Sequence, residues 1–171
     1  MKATLKITSL LIALFCITLS VQAQKFGYIN SAEIMAEMPD VKQADSQLEA
    51  LQKQLQKKGQ GMVEELQKNY QTVQQKVQRG ELSPKQQEEE SQKLEAAQAE
   101  LQKYEQEMVD QIQARRAELM NPILEKVNNA IQEVAKENDF QFIFDEQVLL
   151  YKEASQNVTA LVKTKLGITT P

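Results

Sequence analysis

The sequence predicts a mainly α protein with a small β body, most of it a long antiparallel helical hairpin that forms a coiled-coil arm. Three observations predict this. Aliphatic residues recur every seven positions through a Gln- and Glu-rich middle, interrupted once by Gly80-Glu81-Leu82-Ser83-Pro84. Past the first segment, the aromatics gather at the two ends as Phe26, Tyr28, Phe140, Phe142, Phe144 and Tyr151, with only Tyr70 and Tyr104 between them. The 171 residues contain no Trp, no His and one Cys, which is thin material for a large globular core. Aromatics dominate core energetics, so the packed body is expected where the ends meet.

Residues 1–23 read as a secretory signal peptide. Lys2 and Lys6 precede an apolar run that ends near Val21, and Val21-Gln22-Ala23 places small residues where a signal peptidase reads, with cleavage after Ala23. The run is short for a bilayer span. Cys16 follows Phe15 rather than a small residue, so it reads as filler and not as an acylation site. The chain is therefore expected to be exported.

Removing this segment leaves 18 basic and 24 acidic residues, a net charge of −6, with no Cys and no His. An acidic chain lacks the basic face that nucleic acid requires. Without Cys or His there is no disulfide framework and no zinc site. No nucleophile or tunable acid–base pair is apparent, and the carboxylates fall on exposed helical text. The reading is therefore not an enzyme, with no cofactor and no metal. Glu88-Glu89-Glu90 reads as solvated surface paired with Lys85 and Lys93, not as a calcium loop.

Taken in order, Phe26-Gly27-Tyr28-Ile29 reads as a strand with Phe26 and Tyr28 on one face. Ser31 caps a short helix, which Met38-Pro39 breaks, and Asp40 caps the next. Val41, Leu48, Leu55 and Met62 keep a seven-residue step, with Ala44 and Leu51 between them and Lys58 interrupting. Leu66, Tyr70, Val73 and Val77 then follow after a four-residue slip that locally unwinds a supercoil. Gly80 stops this helix, and Ser83-Pro84 starts the next. Leu94, Ala97, Leu101, Tyr104 and Met108 continue the narrow stripe. It widens through Ile112, Leu119, Ile123, Val127, Ala130, Ile131 and Val134. Pro122 lies inside that helix and marks a kink.

Phe140, Phe142 and Phe144 alternate as a strand, Asp145-Glu146-Gln147 turns, and Val148 to Tyr151 returns as a third strand through Leu150. Asn157 caps a last short helix. The expected organisation is residues 24–40 and 122–171 as an oligomerisation body, and 41–121 as the arm with its tip at 79–84. Three short strands leave apolar edges that a second copy would pair. The body residues are Phe26, Tyr28, Ile29, Phe140, Phe142, Phe144, Val148 and Leu150.

This layout resembles the OmpH/Skp family of periplasmic chaperones over essentially the whole chain. The resemblance rests on Phe26-Gly27-Tyr28-Ile29-Asn30, the interrupted heptad hairpin, the helix from Asn121-Pro122-Ile123 to Glu137-Asn138, and Phe140-Gln141-Phe142-Ile143-Phe144-Asp145 with Asn157-Val158-Thr159. No one piece is specific; their order is. The resemblance implies a homotrimer in which strands of different subunits build a short-strand β-barrel-like oligomerisation body. Three arms would project from it and hold unfolded outer-membrane β-barrel proteins without ATP. The family's best-known member is basic and this chain is acidic, so lipopolysaccharide contacts do not carry over.

Within that expectation, Met62, Leu66, Tyr70, Val73, Val77, Leu94, Leu101 and Tyr104 are seam residues or client-contacting residues. Gly59 and Gly61 are either small residues that make room opposite Tyr104 or points of arm flexibility. Lys76, Arg79 and Lys85 at the tip serve solubility first and a weak membrane-surface contact second. The alternative function is a structural or adaptor coiled coil of the envelope that docks on one folded partner.

Overall fold

The computed structural model of the chain describes residues 24–168. The expected signal peptide, its expected cleavage point and Cys16 lie outside the described residues. The protein is mainly helical with one two-stranded sheet. Strand β1 (Phe26–Ile29) is followed by α1 (Ser31–Glu37), α2 (Pro39–Gln78) and α3 (Pro84–Glu137). Strand β2 (Phe142–Asp145) comes next, then 3-10 turns at Glu146–Val148 and Ala154–Gln156, and finally α4 (Thr159–Lys165).

Local chemistry explains the helix ends. Met38 is extended (φ −64°, ψ 124°) because the ring of Pro39 disfavours helical geometry before it, and this separates α1 from α2. Asp40 sits inside the first turn of α2 rather than capping it. Ser83 and Gln86 form a reciprocal capping box ahead of α3. The Gln86 amide donates to Ser83 Oγ (3.4 Å), and the Ser83 amide donates to Gln86 Oε1 (2.9 Å). Three helices close with the same left-handed stop. The Glu81 amide donates to the Lys76 carbonyl (3.0 Å), Phe140 to Ala135 (2.9 Å) and Ile168 to Lys163 (2.9 Å). Gly80, Asp139 and Gly167 supply the positive φ each stop needs. Asp139 does so without glycine, as short polar side chains can.

The two strands are parallel, with Phe26 opposite Phe142 and Tyr28 opposite Phe144. Parallel neighbours need a crossover, and the long helices supply it. The sheet is open. The expected third strand at Val148 to Tyr151 is not formed. Asp145 accepts the Gln147 amide at 2.9 Å and turns the chain into a 3-10 turn. The other side of β1 is occupied instead by Asn157, which bridges Tyr28, and by the Val158 amide, which donates to the Tyr28 carbonyl (2.9 Å). Phe140 also lies outside β2, which starts at Phe142. Its ring packs on Gly27, where an added Cβ would sit 3.1 Å from it. Asn157 accepts the Thr159 amide at 2.9 Å, one residue ahead of the cap position Val158.

The chain forms two compact units. Among the described residues, one joins 24–31 with 130–168; the other is Ala32–Asn129. The first buries Tyr28, Ile29, Ala130, Val134, Val158 and Val162. The second buries Ile34, Met38, Ala44, Leu48, Leu55, Tyr104, Ile123 and Val127. Helix α3 continues through Pro122.

Candidate functional site

In the unit Ala32–Asn129, α2 and α3 meet through three named polar contacts. Lys126 Nζ reaches Asp40 Oδ2 at 2.7 Å, Arg115 donates to Gln47 Oε1 at 2.7 Å, and the Tyr104 hydroxyl donates to the Leu55 carbonyl at 2.9 Å. As the residue number rises on α3, its partner's number falls on α2. Ala44, Leu48 and Leu55 are buried along this stretch. The regular Val41, Leu48, Leu55 step keeps one side of α2 on the seam.

Beyond Leu55 the seam changes character. Lys58 stands where the heptad calls for an apolar residue, and its ammonium lies 4.6 Å from the centre of the Tyr104 ring. Gly59 lies under the same ring, where an added Cβ would sit 3.4 Å away; around Gly61 there is open space. Met62, Leu66, Val73, Leu94, Ala97 and Leu101 are half-buried, while Tyr70 (61% exposed) and Val77 are exposed. Clefts flank this stretch. One of about 310 Å³ lies against Met62, Leu66, Ala97 and Tyr104. One of about 470 Å³ lies against Leu66, Tyr70 and Leu94. One of about 400 Å³ lies against Gly59, Leu101 and Met108. The rim of the first carries both charges, from Lys58, Lys103, Glu65, Glu100 and Glu107. The structure thus brings together most of the expected seam residues, though it buries only Tyr104 among them.

At the tip, Arg79 lies 3.8 Å from Glu81, and Lys85 lies 4.0 Å from Glu89. The Lys93 ammonium, hydrogen-bonded at 2.6 Å, holds the Glu90 carboxyl below its ordinary pKa, and Lys76 adds to the effect. The basic tip residues are therefore matched by carboxylates, and exposed pairs of this kind contribute little stability.

In the other unit, Phe26, Phe142 and Phe144 form a triangle of near-parallel rings, with pairwise centroid distances of 5.8, 6.4 and 6.1 Å. Stacked aromatic pairs favour such separations. Yet these rings remain 38%, 53% and 40% exposed. Val148 and Tyr151 are exposed nearby in sequence, and Leu150 is completely so. Tyr28 and Ile29, by contrast, are core. Sequence reasoning missed what holds this loop. Glu146 accepts from Asn30 Nδ2 at 2.7 Å and pairs with Lys152, whose ammonium also lies 5.3 Å from the Tyr28 ring. The bond to Glu146 raises the Lys152 pKa. Only the neighbouring Asp145-Glu146 turn signal hinted at the pair. Lys165 sits 2.6 Å from Glu137 and 3.0 Å from Glu133, which raises its pKa.

Among the described residues, no group of three or more His, Cys, Asp or Glu could hold a metal ion. No described helix is long and apolar enough to cross a membrane.

Residues 25–166 match the family described as outer membrane protein, OmpH-like. The chain belongs to the OmpH-like family. No curated protein matches this OmpH-like chain. Its fold is similar to a crystal structure from Caulobacter crescentus CB15, described as that of an OmpH-like outer membrane chaperone. The TM-score is 0.74 at 15% identity, covering 84% of this chain and 83% of that one. At that identity the similarity speaks to fold.

Proposed function

We propose that this OmpH-like chain is an ATP-independent periplasmic holdase that keeps unfolded outer-membrane β-barrel proteins from aggregating. The observation that carries the reading is the half-open apolar stripe from Met62 to Val77 and from Leu94 to Leu101, with charged residues on its rims. Strands of outer-membrane barrels alternate apolar and polar residues and have no stable partner in water. A surface that is itself amphipathic and loosely packed can shield them through many weak contacts, and weak contacts release without fuel. Met62 suits such a surface, since its thioether adapts to varied shapes. The family's name, and that of the structural neighbour, point the same way.

In this reading α2 and α3 form an antiparallel hairpin arm, bent at Pro122 and able to widen at Gly59 and Gly61. Three copies assemble through their sheets into a barrel-like body, and the client sits in a cavity between the arms. The exposed stack of Phe26, Phe142 and Phe144, with Val148 and Leu150, supports a body that needs further copies to cover it. The matched tip charges support solubility over membrane contact.

The test is native mass analysis of the purified protein, alone and mixed with a urea-denatured outer-membrane barrel protein diluted into buffer. One oligomer carrying one soluble, unfolded barrel chain is the expected result. Aggregation of the barrel protein beside an intact oligomer would refute the holdase reading and favour an adaptor for a folded envelope partner.

A further inference from the structure

On α2 the arm seam has two different halves, and the division falls at Leu55. Toward Pro39, Ala44, Leu48 and Leu55 are buried; from residue 56 to residue 103 no side chain is buried on either helix. Tyr104, 5% exposed, stands at the border. Its hydroxyl donates to the Leu55 carbonyl at 2.9 Å. In an unbroken helix that carbonyl also accepts the amide of the residue four positions on, here Gly59. The Tyr104 ring lies over Gly59, and the Lys58 ammonium lies 4.6 Å from the ring centroid.

We infer that Tyr104 is a latch: it pins the two helices together at Leu55 and confines opening of the arm to residues 56–103. On α2 the sequence places three weakening features on the tip side of this pin. Lys58 occupies a seam position that the heptad would fill with an apolar residue, and it meets the partner helix only through the face of the Tyr104 ring. Gly59 and Gly61 lower the helix propensity of the next turn. The four-residue slip after Met62 shifts the apolar stripe. Clefts on both faces of the seam begin beside Tyr104 and continue toward the tip. Voids leave side chains without contact partners, so separating the helices there forfeits little. On the other side, separation would break the Tyr104–Leu55 bond and expose Leu48 and Leu55. The arm should therefore open as a distal unit with a sharp inner limit, rather than fray progressively from the tip. This inference stands whether or not the protein is a holdase.

Hydrogen exchange of the purified protein, followed by mass spectrometry of overlapping peptides, tests it. Protection is expected to step down between the segments before and after Leu55 on α2, and between those after and before Tyr104 on α3. Tyr104→Phe keeps the ring and removes the donor. It should speed exchange of residues 48–59 and 104–111 by about two- to tenfold, the effect of losing one net hydrogen bond. Tyr70→Phe, on the exposed distal stretch, should change nothing there. A smooth gradient of exchange from Pro39 to Arg79 would overturn the latch. So would a Tyr104→Phe variant that exchanges like the parent.

Discussion

At the scale of single residues, the unit that carries the sheet is held by small polar joints that composition does not announce. Asp145 shows how. The Ser31 hydroxyl, then the Gln147 amide and the Ser31 amide, donate to its carboxylate, and all three hold its pKa below the ordinary 3.8. These donors favour the ionised form, so their contribution to stability is fully present above the ordinary value. It is lost as pH falls through the lowered folded value. Carboxyl-detected NMR should find Asp145 titrating below its unfolded counterpart. Ser31→Ala should move it back upward, because the largest contribution, the Ser31 hydroxyl, is gone. If Asp145 titrates at its ordinary value in the parent, the joint has no weight in solution. A similar economy of contact explains Gly27. An added Cβ would meet Phe140 at 3.1 Å and Val158 at 3.4 Å, so a side chain there would require the Phe140 ring to shift by a few tenths of an ångström.

At the scale of elements, the long helices were legible because their signals are redundant. The seven-residue step, Gly80 and Ser83-Pro84 each mark the same boundaries, and the structure adds only the Gln86 half of the capping box. The third strand was misread for a physical reason. Val148, Leu149, Leu150 and Tyr151 have strand propensity, but propensity says nothing about whether an edge is free. Asn157 and Val158 already lie against β1. The seam residues were legible as a stripe, while their incomplete burial was not, because a heptad pattern reports facing and not packing density. The glycines in α2 test this difference. Gly59 admits a Cβ at an ordinary 3.4 Å from Tyr104, and Gly61 has nothing within 4 Å, so neither is required by space. Gly59→Ala and Gly61→Ala should each stabilise the helix by about 1 kcal/mol, the propensity difference in a helix interior. Urea unfolding followed by circular dichroism reads this as a raised midpoint at unchanged slope. A lowered midpoint for Gly61→Ala would mean that the helix bends there in solution.

At the scale of the whole molecule, the chain's two ends share one sheet while about a hundred residues of helix run between them, so the sheet is small for the chain it anchors. A two-stranded sheet is marginal alone and gains little from its own length. Its exposed side carries three stacked phenylalanines. Fully burying one such ring is worth about 1.5 to 3 kcal/mol, so three rings left 38–53% exposed represent a substantial reserve that association can use. The same unit exposes Leu150 and Tyr151 on a loop pinned by Glu146, so a second copy would meet an ordered surface rather than a floppy one. If copies associate through this face, Phe142→Asp should abolish association, because a carboxylate would be buried among rings with nothing to pair it. Sedimentation velocity should then show the parent as an oligomer and the variant as a monomer. Far-ultraviolet dichroism should stay close to the parent's, since the long helices do not include this residue. A variant that keeps the parent's mass would place the interface elsewhere. A parent that is itself monomeric would leave the phenylalanine stack without the role assigned to it here.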